Sequence, residues 1–84
     1  MNQAIQFIDR IEFNRQTQLL TFYAQVSGLI VECIIDTQSL AIPDSAAAKQ
    51  HFELWRFDYE ELAEQQIEAE AYNSAGQIIV TVLN

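Results

Sequence analysis

One helical pattern runs from Asp44 to Tyr72, and it dominates what this chain can become. At 100° per residue, Ala48, Phe52, Trp55, Tyr59, Ala63 and Ile67 fall on a single stripe, which is the signature of a helix laid on an apolar partner. Seven of the twelve acidic residues, from Glu53 to Glu70, lie in the same stretch. Asp44 caps its start, and Ser45-Ala46-Ala47-Ala48 is good first-turn material. Asn73-Ser74-Ala75-Gly76 reads as the stop and turn after it. A helix with one buried stripe and one wet back needs a sheet to cover.

The first half supplies that sheet. Ile5, Phe7, Ile11 and Phe13 alternate with Gln6, Arg10 and Glu12, the period of a strand with one wet face. Asp9 interrupts the apolar side and Ile8 the polar side, so a bulge or an edge position is expected there. Leu19–Val26 alternates again, and Ser27-Gly28 offers a tight hairpin turn. Leu29–Ile35 is β-branched and apolar at nearly every position, as in a central strand partly covered on both sides. Asp36-Thr37-Gln38-Ser39 starts a short helical turn that Pro43 ends. Gln77–Leu83 reads as a last strand returning to the N-terminal sheet. The expectation is a single α+β domain over residues 1–84: two layers, a mainly antiparallel sheet of three N-terminal strands and a C-terminal one, packed against one long helix.

Charge excludes more than it assigns. The net charge is −8, and the four cations Arg10, Arg15, Lys49 and Arg56 are scattered. They cannot form the footprint that phosphate backbones or anionic lipids require, so neither nucleic acid nor membrane is expected as a partner. The uncharged run Gln16–Val31 is too short and polar to cross a bilayer. Charges within the first fifteen residues leave no signal-peptide core, and the lone Cys33 fits a reducing compartment; a cytoplasmic protein is expected.

Reactive groups are few. Cys33 sits mid-strand among Val31, Ile34 and Ile35, the setting of an inert buried thiol. His51 is the only histidine, so neither a catalytic triad nor a zinc site can be assembled around it. Glu60, Glu64 and Glu68 line up at i, i+4, i+8, a solvated ridge rather than a converging cation site. No enzyme activity and no cofactor are expected. Arg56 is the one cation in the helix body, and Glu60 stands one turn away. Their pairing is expected as a salt bridge at the helix–sheet edge; the functional alternative makes Arg56 an anion handle with Tyr59 or His51.

The pattern Phe22-x-Ala24-x-x-x-Gly28-x-x-x-x-Cys33-x-Ile35, followed by Phe52-x-x-x-Arg56-x-x-Tyr59-Glu60-x-x-Ala63, resembles a family of short bacterial proteins catalogued as domain of unknown function 1488. The resemblance spans nearly the whole chain and implies a small α+β fold with no established activity. It places Cys33, Arg56 and Glu60 on positions of the family pattern without giving them roles. Tyr59 stands where an aliphatic residue is more usual, and Phe13-Asn14 where Trp-Asp is more usual.

Three readings of function are carried forward. The first is a small accessory domain that acts by protein contact, as a homodimer or with another protein. Its motive is that Leu54, Phe57 and Tyr72 fall on the side of the helix opposite the core, beside Glu61, Glu64 and Glu68. The second is a small-ligand or anion-binding domain with Arg56, Tyr59, Glu60 and His51 at its edge. The third is an acidic decoy that engages a basic protein through Glu61, Glu64 and Glu68.

Overall fold

A computed structural model describes residues 4–84, so the single domain expected over 1–84 is followed from Ala4 onward. The elements are β1 (Ile5–Asn14), β2 (Leu19–Val26), β3 (Leu29–Asp36), a 3-10 turn (Gln38–Leu40), α1 (Ser45–Glu68) and β4 (Ile78–Val80). The strands form one sheet in the order β1-β2-β3-β4, with α1 across one face.

Turn chemistry sets the first two pairings. Asn14 Oδ1 accepts the main-chain N–H groups of Gln16 and Thr17 and closes the β1–β2 turn. Ser27 and Gly28 both take positive φ, 50° and 86°, giving a two-residue hairpin whose twist matches its strands. Both connections are tight, so β1–β2 and β2–β3 are antiparallel. The third connection contains α1, which returns the chain to the end of the sheet where β3 began. Hence β4 runs parallel to β3, Cys33 opposite Ile78 and Ile35 opposite Val80. The sheet is mixed, and β3 is an interior strand. β4 is shorter than Gln77–Leu83 because β3 ends one residue beyond the Ile35–Val80 rung.

The expected irregularity in β1 is present. Ile8 faces Tyr23 while Ile11 faces Phe22, so Asp9 and Arg10 are extra residues in the ladder. Leu20, Phe22 and Ala24 of β2, Val31, Cys33 and Ile35 of β3, and Ile78 and Val80 of β4 bury one face of the sheet against Ala48, Phe52, Tyr59, Ala63 and Ile67 of α1.

The helix starts as expected and stops early. Asp44 accepts from Ala47 N–H at 2.8 Å as N-cap. The far end comes at Glu68, four residues before Tyr72. Glu70 adopts a left-handed conformation (φ 55°), its N–H bonds to Ile67 O, and Ala71 N–H bonds to Gln66 O. This is a Schellman stop built without glycine. Trp55 departs from helical dihedrals (φ −111°, ψ 15°) and bends the helix near its middle.

One polar clasp was not legible beforehand. The Gln18 side chain donates to Arg15 O (2.9 Å) and Ile42 O (2.8 Å), and its Oε1 accepts from Ile42 N–H (2.8 Å). The fully buried Thr37 hydroxyl donates to Gln18 O at 2.8 Å. The β1–β2 turn is thereby tied to the connector that launches α1.

Candidate functional site

The four residues expected at a ligand edge do not converge. Arg56 faces β1, where the bulge turns Asp9 toward the helix. Its Nη2 donates to Asp9 Oδ1 at 3.0 Å and to Glu53 Oε2 at 2.8 Å. The expected partner Glu60 is therefore displaced: Asp9 offers a carboxylate from the sheet, which the periodicity of the helix could not reveal. The Arg56 guanidinium also lies 5.3 Å from the centre of the Phe52 ring. Glu53 foremost, then Asp9, raises the Arg56 pKa further. Glu60 is left half-buried, and that burial raises its carboxyl pKa although Arg56 pulls the other way. Arg56 Nε is buried and has no hydrogen-bond partner among the described residues. Asp9, Ile11, Lys49, Glu53 and Arg56 line a crevice of about 300 Å³ at this edge.

His51 and Tyr59 are joined instead to each other and to the segment after β4. The Tyr59 hydroxyl lies 2.6 Å from His51 Nε2 and accepts the Leu83 N–H at 3.0 Å. Either group can donate in the His51–Tyr59 hydrogen bond, because the phenol oxygen keeps a second lone pair after accepting from Leu83. Burial lowers the His51 pKa and so favours the neutral ring. Tyr59 is fully buried and stacks parallel to Phe52 with ring centres 5.9 Å apart. It is a core residue with a polar tip, and it pins the chain end to the helix.

Cys33 is fully buried, and desolvation pushes its thiol up to about 12, so at neutral pH it is protonated. Among the described residues there is no group of three or more His, Cys, Asp or Glu side chains placed to hold a metal ion. No helix among them is long and apolar enough to cross a membrane.

The expected interface divides in two. Leu54 and Phe57 are 76% and 81% exposed, almost adjacent on the back of α1. Glu61, Glu64 and Glu68 are exposed on the same helix. Tyr72 does not join them. The Glu70 stop takes it out of the helix, and with Val26, Leu29, Ile30, Val31 and Gly76 it borders a hollow of about 370 Å³ near the β2–β3 hairpin. Beside Leu54, on the N-terminal side, Ala46, Lys49, Gln50, Glu53 and Leu54 border an open hollow of about 620 Å³.

A second apolar surface was missed. Ile8, Ile30 and Ile79 project from the sheet face away from α1, the last two 57% and 54% exposed, with Tyr23 and Ile34 between them. Among the described residues no helix or strand packs on this face, and the Arg10 side chain lies over the Tyr23 ring, 5.0 Å from its centre. Strand periodicity puts Ile30 and Ile34 on one side, and the run of apolar residues suggests partial cover on both sides of β3. Alternation cannot say whether a second layer exists.

Residues 5–80 match the family described as "Protein of unknown function (DUF1488)". The chain is 36% identical to the uncharacterized protein YrdB of Escherichia coli (strain K12), over 93% of this chain and 96% of that one. It is 35% identical to YrdB of Shigella flexneri over the same shares. A solved structure of a protein of unknown function from the DUF1488 family, from Shewanella loihica PV-4, superposes with a TM-score of 0.84. That protein is 38% identical, and the superposition covers 95% of this chain and 94% of that chain.

Proposed function

The chain belongs to the DUF1488 family, a family of unknown function, and from that premise we propose that it is a small cytoplasmic accessory domain that works by surface contact and associates with itself. The observation that carries this reading is the exposure of Leu54 and Phe57, one turn apart on a helix whose other side already meets the sheet. Covering two such side chains contributes roughly 1.5–3 kcal/mol each when burial is complete. A lone domain gains nothing by presenting them to water. The chemistry elsewhere supports a role without catalysis: the only thiol is buried and protonated, and the only histidine is held by Tyr59.

Native mass spectrometry of the purified chain tests the reading. A mass at twice the chain, reduced to one chain in Phe57→Glu with unchanged circular dichroism, supports it. A wild type that stays monomeric up to high micromolar concentration speaks against it.

A second reading, an anion-binding edge at Arg56, draws on the crevice and on Lys49 beside it. Arg56 already gives Nη2 to two carboxylates, so an incoming anion has to displace Asp9 or Glu53. A thermal upshift with phosphate or citrate that vanishes in Arg56→Ala would favour this reading.

A further inference from the structure

Resting on the self-association reading, we infer that two copies pair back to back through α1, antiparallel about a two-fold axis, with Phe57 of each seated in the hollow beside Leu54 of the other.

A symmetric dimer uses the same patch twice, so the patch must carry both the projecting group and its receptacle. This one does. Phe57 stands clear of the helix, and the hollow bordered by Ala46, Gln50, Glu53 and Leu54 begins on the N-terminal side of it. An antiparallel neighbour reverses that order, so both rings meet a hollow at once. A parallel neighbour sets ring against ring and leaves both hollows empty.

Charge selects the same direction. Lys49 lies in the N-terminal half of α1, whose first turn has no acidic residue. Glu60, Glu61, Glu64 and Glu68 crowd the C-terminal half, whose last turn has no basic residue. Apart from the capping Asp44, that is the reverse of what the helix dipole favours in an isolated helix. Among the described residues neither Lys49 nor any of these four glutamates forms an ion pair. Lys49 and Glu60 are separated by about three helical turns and so share one flank. In a two-fold antiparallel pair like flanks meet. The level that seats Phe57 near Gln50 therefore brings Glu60, and Glu64 one turn on, within reach of the other copy's lysine stem. The acidic ends also come to rest beside the positive helix starts. A parallel pair would set the glutamates against one another.

Charge reversal tests the arrangement because it predicts a gain as well as a loss. Lys49→Glu and Glu60→Lys are purified separately, checked by circular dichroism, and weighed by native mass spectrometry and sedimentation equilibrium. Each alone should dimerise on the order of tenfold more weakly than wild type, since like charges then meet at both ends. Mixed one to one, they should form a heterodimer at wild-type strength, because at both ends a carboxylate of one variant then meets an ammonium of the other. Glu64→Lys, at a more exposed position, takes the place of Glu60→Lys if that variant loses its fold. Two folded variants that dimerise like wild type, while Phe57→Glu does not, overturn the antiparallel pairing and leave self-association standing. A mixture that stays monomeric also overturns it. A wild type that is monomeric alone, or heavy only with a different protein, overturns both.

Discussion

The hydroxyl of Tyr59 lies 2.6 Å from Nε2 of His51 and accepts the main-chain N–H of Leu83, so one buried side chain joins the helix to the segment after β4. Burial lowers the histidine pKa in the folded state, so its contribution to stability is complete above the unfolded value of about 6.5. It is lost as pH falls through that value toward the depressed one. Glu60 works in the opposite direction, because burial raises its pKa and protonation favours the fold. Urea midpoints between pH 7.5 and 5 should fall in the wild type relative to His51→Gln. Equal slopes for the two proteins would contradict a lowered histidine pKa.

Tyr59→Phe keeps the ring stack with Phe52 and removes only the hydroxyl. It should cost about 1–2 kcal/mol, because the half-buried Leu83 N–H and His51 Nε2 lose a partner. Hydrogen exchange at Leu83 should quicken in the same variant.

Arg56 is held by Asp9 across the bulge, with Glu60 outside the pair. Arg56→Ala should destabilise the fold by about 1–2 kcal/mol, partly through lost packing of its stem and guanidinium on Phe52. Asp9→Asn should cost well under about 1 kcal/mol, since that carboxylate is largely in water. Glu60→Gln should cost nothing measurable or stabilise slightly. Chemical denaturation of the three variants checks the order, and a Glu60 effect equal to that of Arg56 would restore the pair expected from the helix spacing.

Glu70 ends α1 in the left-handed region, where a side chain costs roughly 1 kcal/mol relative to glycine. Its charge also sits at the negative end of the helix dipole. Glu70→Gly should therefore raise the thermal midpoint by about 4–8 °C, the shift about 1 kcal/mol produces in a domain of this size. A lower midpoint would mean that the side chain makes a contact outweighing the strain.

Gln18 satisfies both main-chain groups of Ile42 while also in the left-handed region. Gln18→Ala should cost about 2–3 kcal/mol, because the N–H and C=O of Ile42 lose their partners together. Ile42 is itself buried, so little water can replace them.

Periodicity carried the strands, the bulge near Asp9 and the buried stripe from Ala48 to Ile67 except for the half-buried Trp55, because each follows from local spacing against one apolar layer. Topology was less legible. The parallel β3–β4 pairing depends on where α1 returns the chain, and sequence order does not state that. Glu70 gave no stop signal, since helices that end this way mostly use glycine, and the visible glycine was Gly76. The site divided along the same line. Leu54 and Phe57 were readable as outward because both lie well inside the helix, whereas Tyr72 was assigned with a periodicity that ends before it. Arg56 found its partner across the sheet, and the uncovered face of Ile30 and Ile79 required knowledge of layers.

Sedimentation velocity on wild type, Phe57→Glu and Ile79→Lys across a common concentration range separates the two exposed apolar faces. Association through the back of α1 predicts that wild type and Ile79→Lys both sediment as dimers and that Phe57→Glu stays at one chain of 9.6 kDa. Loss of the dimer in Ile79→Lys with Phe57→Glu unaffected would move the interface to the open sheet, and a monomer throughout would contradict self-association altogether.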